Sequence, residues 1–154
     1  MIIRSHKIEV ISRKEFEMID LTPRVEEFLR ECAVANGMVF VMTAHTTSSI
    51  VITEGVECLE RDIPLHLERL APKIPEPGTF GYYHNRILDF DGRLGFNAGD
   101  HLKSVLGGVS AMFAVGNGEL LKGSRQRVYF VEYDGPLART VYLQVMGEAA
   151  EAQA

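Results

Sequence analysis

The last third of the chain is a series of apolar runs separated by turn signals, with no helical period among them. Residues 110–115 lead into Gly116-Asn117-Gly118, residues 127–133 into Asp134-Gly135-Pro136, and residues 140–145 close the series. Glycine, asparagine and proline supply the backbone angles that tight turns demand, so the runs read as strands joined by hairpins. Whatever precedes them must pack on an antiparallel sheet.

Upstream the period changes several times. Ile8 and Val10 alternate with Lys7 and Glu9 as in a half-buried strand, and residues 16–19 are a second strand candidate. Thr22-Pro23 predicts a helix start with Thr22 as N-cap; Val25, Phe28, Leu29, Cys32 and Ala33 form its stripe and Gly37 its C-cap glycine. The continuous apolar run 38–42 suits a central strand. After a second β-branched run at 50–52, a helical pattern extends from Glu54 to about Leu70, with Val56, Leu59, Ile63, Leu67 and Leu70 as its stripe. Pro64 lies inside it and predicts a kink or two short helices in series. Pro72, Pro75, Pro77 and Gly78 mark a stiff loop, and residues 80–96 read mostly as loop. Asn97 then caps a short helix whose apolar face is Leu102, Val105 and Leu106 and which stops at Gly107-Gly108. Seven or eight strands against three helices, with the hairpins gathered at the end, is an α+β order.

Length and composition agree with one domain. A chain of 154 residues, 46% apolar and 24% charged, can bury a sizeable core. We expect a single domain over residues 1–147 and a frayed tail over 148–154. The net charge of −5, without a Lys/Arg cluster, argues against a nucleic-acid partner. No apolar run is long enough to span a membrane. Two cysteines, Cys32 and Cys58, fall in helical patterns, where they read as small apolar residues of a reducing compartment. With no signal-peptide pattern at the N-terminus, a cytoplasmic location is expected.

Chemistry is concentrated at three imidazoles outside any apolar stripe: His45 in Ala44-His45-Thr46-Thr47, His84 in Tyr83-His84-Asn85, and His101 just after Asn97-Ala98-Gly99-Asp100. Three histidines and an open position are a common set for zinc, and imidazoles with hydroxyls also suit phosphate. On a helix, Asn97 and His101 share a face, and the positive helix end favours neutral imidazole and attracts an anion. Glu54 can serve as general base or orient an imidazole; as a first-turn carboxylate it can also merely complement the helix dipole. Arg125 and Gln126 can hold a phosphate or sit on a solvated strand edge. His66, near the second helix stripe, reads as a packed histidine, and His6 carries no signal.

Together, His45-Thr46-Thr47, Glu54, His84-Asn85, Asn97 with His101-Leu102-Lys103, Gly123 with Gln126, and Glu132-Tyr133-Asp134-Gly135-Pro136 resemble the YjbQ family, the uncharacterised protein family UPF0047, from about residue 4 to residue 147. One departure is Arg125, where that family usually carries tryptophan. The resemblance implies an α+β fold with helices packed between two mainly antiparallel β layers, a homotrimer, and a weak thiamine-phosphate synthase activity that joins a pyrimidine diphosphate to a thiazole phosphate. It also implies a polar site at His45, Glu54, His84, Asn97, His101 and Gln126.

These readings combine into one expectation and two rivals. The expectation is a small enzyme acting on a phosphorylated metabolite, with His45, Glu54, His84 and His101 as catalytic residues. Thr46, Thr47, Asn97, Arg125 and Gln126 would bind its substrate, and a divalent metal, zinc first, would be held by His45, His84 and His101. The rivals are a non-catalytic trimer that binds a metal or an anionic metabolite, and a metal-assisted phosphoester hydrolase.

Overall fold

The computed structural model describes residues 1–74, 81–86 and 95–150. The Pro75, Pro77 and Gly78 loop, much of the stretch 80–96, and residues 151–154 of the expected tail lie outside the described residues.

Among those described are eight strands, three α-helices and a 3-10 turn at Tyr83–Arg86. The strands are β1 (Ile2–Ile11), β2 (Glu17–Asp20), β3 (Val34–Thr43), β4 (Ser48–Glu54), β5 (Ser110–Gly116), β6 (Glu119–Leu120), β7 (Gln126–Glu132) and β8 (Ala138–Ala149). The helices are α1 (Thr22–Cys32), α2 (Glu57–Leu70) and α3 (Ala98–Gly107). The strands form two sheets, β1-β8-β3-β5-β6 and β2-β7-β4, and every pairing is antiparallel. The fold is therefore mixed α+β, as the pattern predicts.

The two sheets share one core. Ile8, Val39, Val41, Phe113, Val141 and Leu143 from the larger sheet meet Ile50, Val128 and Phe130 from the smaller. Helix α1 fits between the layers: Val25, Phe28 and Leu29 join the same cluster, and α1 touches β3, β6 and β8 on one side and β7 on the other. Strand β7 is buried on both faces. Its alternate residues Tyr129 and Val131, with Tyr133, make a second cluster, against which Leu67 of α2 packs. That explains its run of consecutive apolar residues, since a strand covered on both sides needs no polar face.

Several local expectations are corrected. Leu21, not Thr22, is the N-cap of α1; the Thr22 N–H is taken by Asp20 Oδ1 at 2.8 Å, and the Thr22 hydroxyl accepts the Val128 N–H at 2.9 Å. Helix α1 ends at Ala33 in the left-handed region, φ 49°, and Gly37 lies within β3 instead of capping it. Gly37 has a packing reason: a Cβ there would stand 2.1 Å from the Met146 carbonyl oxygen across the ladder. Glu54 ends β4, paired with Gln126, and α2 starts only at Glu57. Helix α2 runs through Pro64 as one element, and none of its residues is fully buried; Cys58 and His66 are exposed on it. At the C-terminus, Glu148 and Ala149 continue β8 opposite Asn36 and Val34, and the Ala150 N–H donates to Ala33 O at 2.8 Å, so these residues belong to the fold. No helix among the described residues is long and apolar enough to cross a membrane.

Candidate functional site

Strand β3 ends at Thr43, and the chain turns through His45, Thr46 and Thr47 into β4. Helix α3 lies across the start of β4: Ser104 Oγ donates to Ser48 O at 2.7 Å, Ser49 Oγ donates to Ser104 O at 3.2 Å, and the Ile50 N–H reaches Gly108 O at 3.0 Å. The approach is close enough that a Cβ at Gly107 would meet Ser49 Oγ at 2.5 Å. This contact brings the N-terminal turns of α3 beside the histidine turn. Asn97 does occupy the N-cap position, but its side chain does not cap; Nδ2 donates to Asp134 Oδ2 at 2.7 Å.

His101 and His84 meet there. Their ring centroids are 4.9 Å apart with planes inclined by 49°. Each ring has Nδ1 against a carbonyl, His101 on Thr46 O at 3.1 Å and His84 on Gly95 O at 3.3 Å. A carbonyl only accepts, so in both rings Nδ1 carries a proton, and in the neutral form of each ring Nε2 is the lone-pair atom. His45 has the opposite arrangement. Its Nε2 accepts the Thr140 N–H at 2.8 Å, which leaves Nδ1 as the N–H donor. Burial, then the nearby Arg139 charge, holds its pKa below 6.5, with Glu132 acting in the other direction. His45 is therefore a neutral hydrogen-bond donor, and its Nε2 lone pair is already engaged.

A buried charge network supports the turn from beneath. Arg139 donates to both carboxylate oxygens of Glu132, each at 2.6 Å, and to Thr47 Oγ1 at 2.9 Å. Glu132 also accepts the Tyr133 and Asp134 N–H groups and the Ser12 hydroxyl. Both members of the pair are buried, at 8% and 0% exposure, and the carboxylate has enough donors to offset its desolvation. Thr47 is therefore tied into the core, whereas Thr46 is exposed beside His101. Arg139 escaped the sequence reading because its partners lie across a turn and 92 residues upstream.

The remaining expected residues lie elsewhere. Glu54 forms an ion pair with Arg125, and Gln126 Oε1 accepts the Gly123 N–H at 2.7 Å. These three sit at the far end of β4, about 20 Å from Ser48 at the rise of an extended strand. Within one chain Glu54, Arg125 and Gln126 form a patch separate from the histidines. Among the described residues no three His, Cys, Asp or Glu side chains are grouped to hold one metal ion. Within the described residues of one chain, folding thus brings His84 and His101 together beside the Thr46 carbonyl, with His45 next to Thr46 on the same turn and Asn97 four residues before His101.

Comparison with known proteins places this arrangement in context. The sequence matches the family described as UPF0047 protein YjbQ-like over residues 6–148. It is 38% identical over 133 residues to a UPF0047 protein of Archaeoglobus fulgidus, covering 86% of this chain and 94% of the relative. To UPF0047 protein YugU of Bacillus subtilis it is 32% identical over 141 residues, covering 91% and 97%. Among solved structures, a YbjQ-like protein of unknown function from Sulfolobus solfataricus superposes with a TM-score of 0.83 at 30% identity, covering 95% of this chain and 98% of that one. A hypothetical protein from Aeropyrum pernix gives 0.81 at 32% identity, covering 94% and 99%.

Proposed function

This chain belongs to the UPF0047 YjbQ-like family, and we propose that it binds a small phosphorylated metabolite at the His45, His84 and His101 turn and acts on it as a thiamine-phosphate synthase-like transferase. The observation that carries the reading is the His84–His101 pair, 4.9 Å between centroids, with both Nδ1 atoms held by carbonyls. This is the tautomer in which imidazole ligates a metal, its second nitrogen fixed by a carbonyl. Nε2 of His84 and of His101 would hold a divalent metal such as zinc, and remaining positions would fall to substrate oxygens. When bound, the metal supplies positive charge for a departing diphosphate.

The chain's own groups cover the rest. His45 offers Nδ1–H, and Thr46 a hydroxyl, to phosphate oxygens. Neutral His45 suits this role, since a hydrogen bond to an anion needs only the N–H. The Glu132–Arg139 pair is a positioning device that holds Thr47. In the synthase-like reaction a C–O bond to the diphosphate breaks, a C–N bond to the thiazole forms, and the departing charge is the main thing to stabilise.

Assembly as a homotrimer belongs to the same reading. The outer face of the larger sheet carries Met38, Phe40, Met42, Met112, Tyr142 and Met146 in adjacent rows of the ladder, and α3 presents Leu102, Val105 and Leu106 outward. A second copy of the chain is the occupant that suits such a surface, and it is also what can bring a Glu54, Arg125 and Gln126 patch to a histidine turn.

The test is to load purified protein with zinc and measure its stoichiometry together with thiamine phosphate formation. His84→Ala and His101→Ala are each expected to lose bound zinc and turnover, and Glu54→Gln turnover alone. Turnover retained in His101→Ala would defeat the assignment.

A further inference from the structure

The face of α3 that carries Asp100 and Lys103, rather than the one that carries Asn97 and His101, borders a cavity of about 550 Å³ between α2, α3 and the segment before β2. That volume is in the range of small-molecule pockets, about 300–1,000 Å³. Phe16, Leu65 and Tyr133 form its apolar wall, with the two rings 5.6 Å apart and tilted by 54°.

Its polar wall is unevenly paired. Lys73 is matched by Glu15, and Lys103 Nζ lies 2.7 Å from Glu68 Oε2. Asp100 shares that same ammonium only at 3.3 Å through Oδ1. It is 1% exposed, and its Oδ2 has no hydrogen-bond partner. Lys14 also lines the cavity but is exposed, so solvent screens its charge. A carboxylate oxygen left bare in a low-dielectric wall is costly unless something donates to it.

We infer that this cavity is a second binding site, for a small organic cation: a primary ammonium or amidinium group donating to Asp100 Oδ2, on a flat apolar body set against Phe16 and Tyr133. The charge balance and the aromatic wall select the same ligand class, since a cation both answers the carboxylate and is attracted to ring faces. Entry does not require the core to open. Helix α2 has no fully buried residue, Leu65 is 58% exposed, and polar contacts such as Tyr129 to Glu60 at 2.8 Å help tie the helix down.

The experiment is a titration of the nitrogen-15-labelled full chain with benzylammonium, with benzyl alcohol and benzoate as controls, read from amide shifts. Benzylammonium is expected to shift Phe16, Leu65, Asp100 and Tyr133 saturably, with Kd of about 1 mM or tighter. Asp100→Asn should weaken binding at least about tenfold, corresponding to about 1.4 kcal/mol. Leu65→Trp, a change at an exposed position, should weaken it too by filling the wall, and decides the matter if Asp100→Asn fails to fold. Binding should persist in His84→Ala, which separates this cavity from the histidine pair. Equal shifts from benzoate or benzyl alcohol would overturn the inference, as would full binding by Leu65→Trp or by folded Asp100→Asn, or loss in His84→Ala. So would the lack of any saturable shift, which would leave water as the partner of Asp100.

Discussion

Helix α1 buries most of the apolar stripe that its sequence period marks, with Val25, Phe28 and Leu29 at 5% exposure or less, Cys32 half-buried and Ala33 exposed just past its end. Helix α3 leaves Leu102, Val105 and Leu106 at 41%, 78% and 56% exposure and buries Asp100, Lys103 and Ser104. Both are amphipathic, yet they dock by opposite faces. The difference lies in what each helix meets. Helix α1 meets the shared apolar core of two sheets. Helix α3 meets the serine-lined start of β4, where hydroxyls and carbonyls offer hydrogen bonds and only small residues fit. An amphipathic period reports that a helix has two unlike faces, and the partner decides which one is inward.

The largest expected effect is on the α1 side. Leu29→Ala should cost about 2–5 kcal/mol in urea unfolding, because it opens a cavity in the shared core. A loss of a few tenths would mean that α1 is not part of the cooperative core. Next comes the inner face of α3: Lys103→Met should cost about 3 kcal/mol, since it strips buried Asp100 of the ammonium that pairs with it. A neutral result would show that Asp100 is already compensated, which a proton or a bound cation would do.

On the outer face of α3, Val105→Glu should leave chain stability within about 0.5 kcal/mol, as exposed substitutions do. The mass in light scattering should meanwhile fall from three chains to one. An unchanged mass would remove this face from the proposed assembly. The smallest effect concerns pH. His45 has a folded-state pKa below 6.5, so the unfolded chain takes up a proton first as pH falls. Its contribution to stability is therefore present above pH 6.5 and is lost as pH drops from there toward the lower folded value. His45→Asn should flatten that stretch of a stability-against-pH profile, and an unaltered slope would show that the imidazole titrates alike in both states.

Much of the architecture is legible residue by residue. The turn residues at 116–118 mark the β5–β6 hairpin, the run 38–42 marks an inner strand, and three stretches with helical period become three helices; the turn at 134–136 is also real, but it carries the chain from β7 in the smaller sheet to β8 in the larger one and does not close the expected hairpin. The misplaced boundaries share a cause. Glu54 looks like a helix start because a carboxylate before an apolar stripe suits the dipole, but ladder pairing with Gln126 keeps it in β4. Gly37 looks like a stop signal, but the close approach of β8 is what requires it. In each case a contact with a distant strand outweighs a local preference of smaller energy.

The chain's residues alone determine the chemical types available at the site and the family likeness: three imidazoles in polar turns, threonines beside one of them, and an asparagine one helical turn before another. Only tertiary structure decided how these are used. It set His84 against His101, turned His45 Nε2 onto the Thr140 N–H of β8, sank Thr47 onto Arg139, and carried Glu54 to the other end of its strand. The physical reason is that side-chain type depends on one position, whereas the tautomer of a ring, its pKa and its neighbours depend on groups that only folding brings within hydrogen-bond distance.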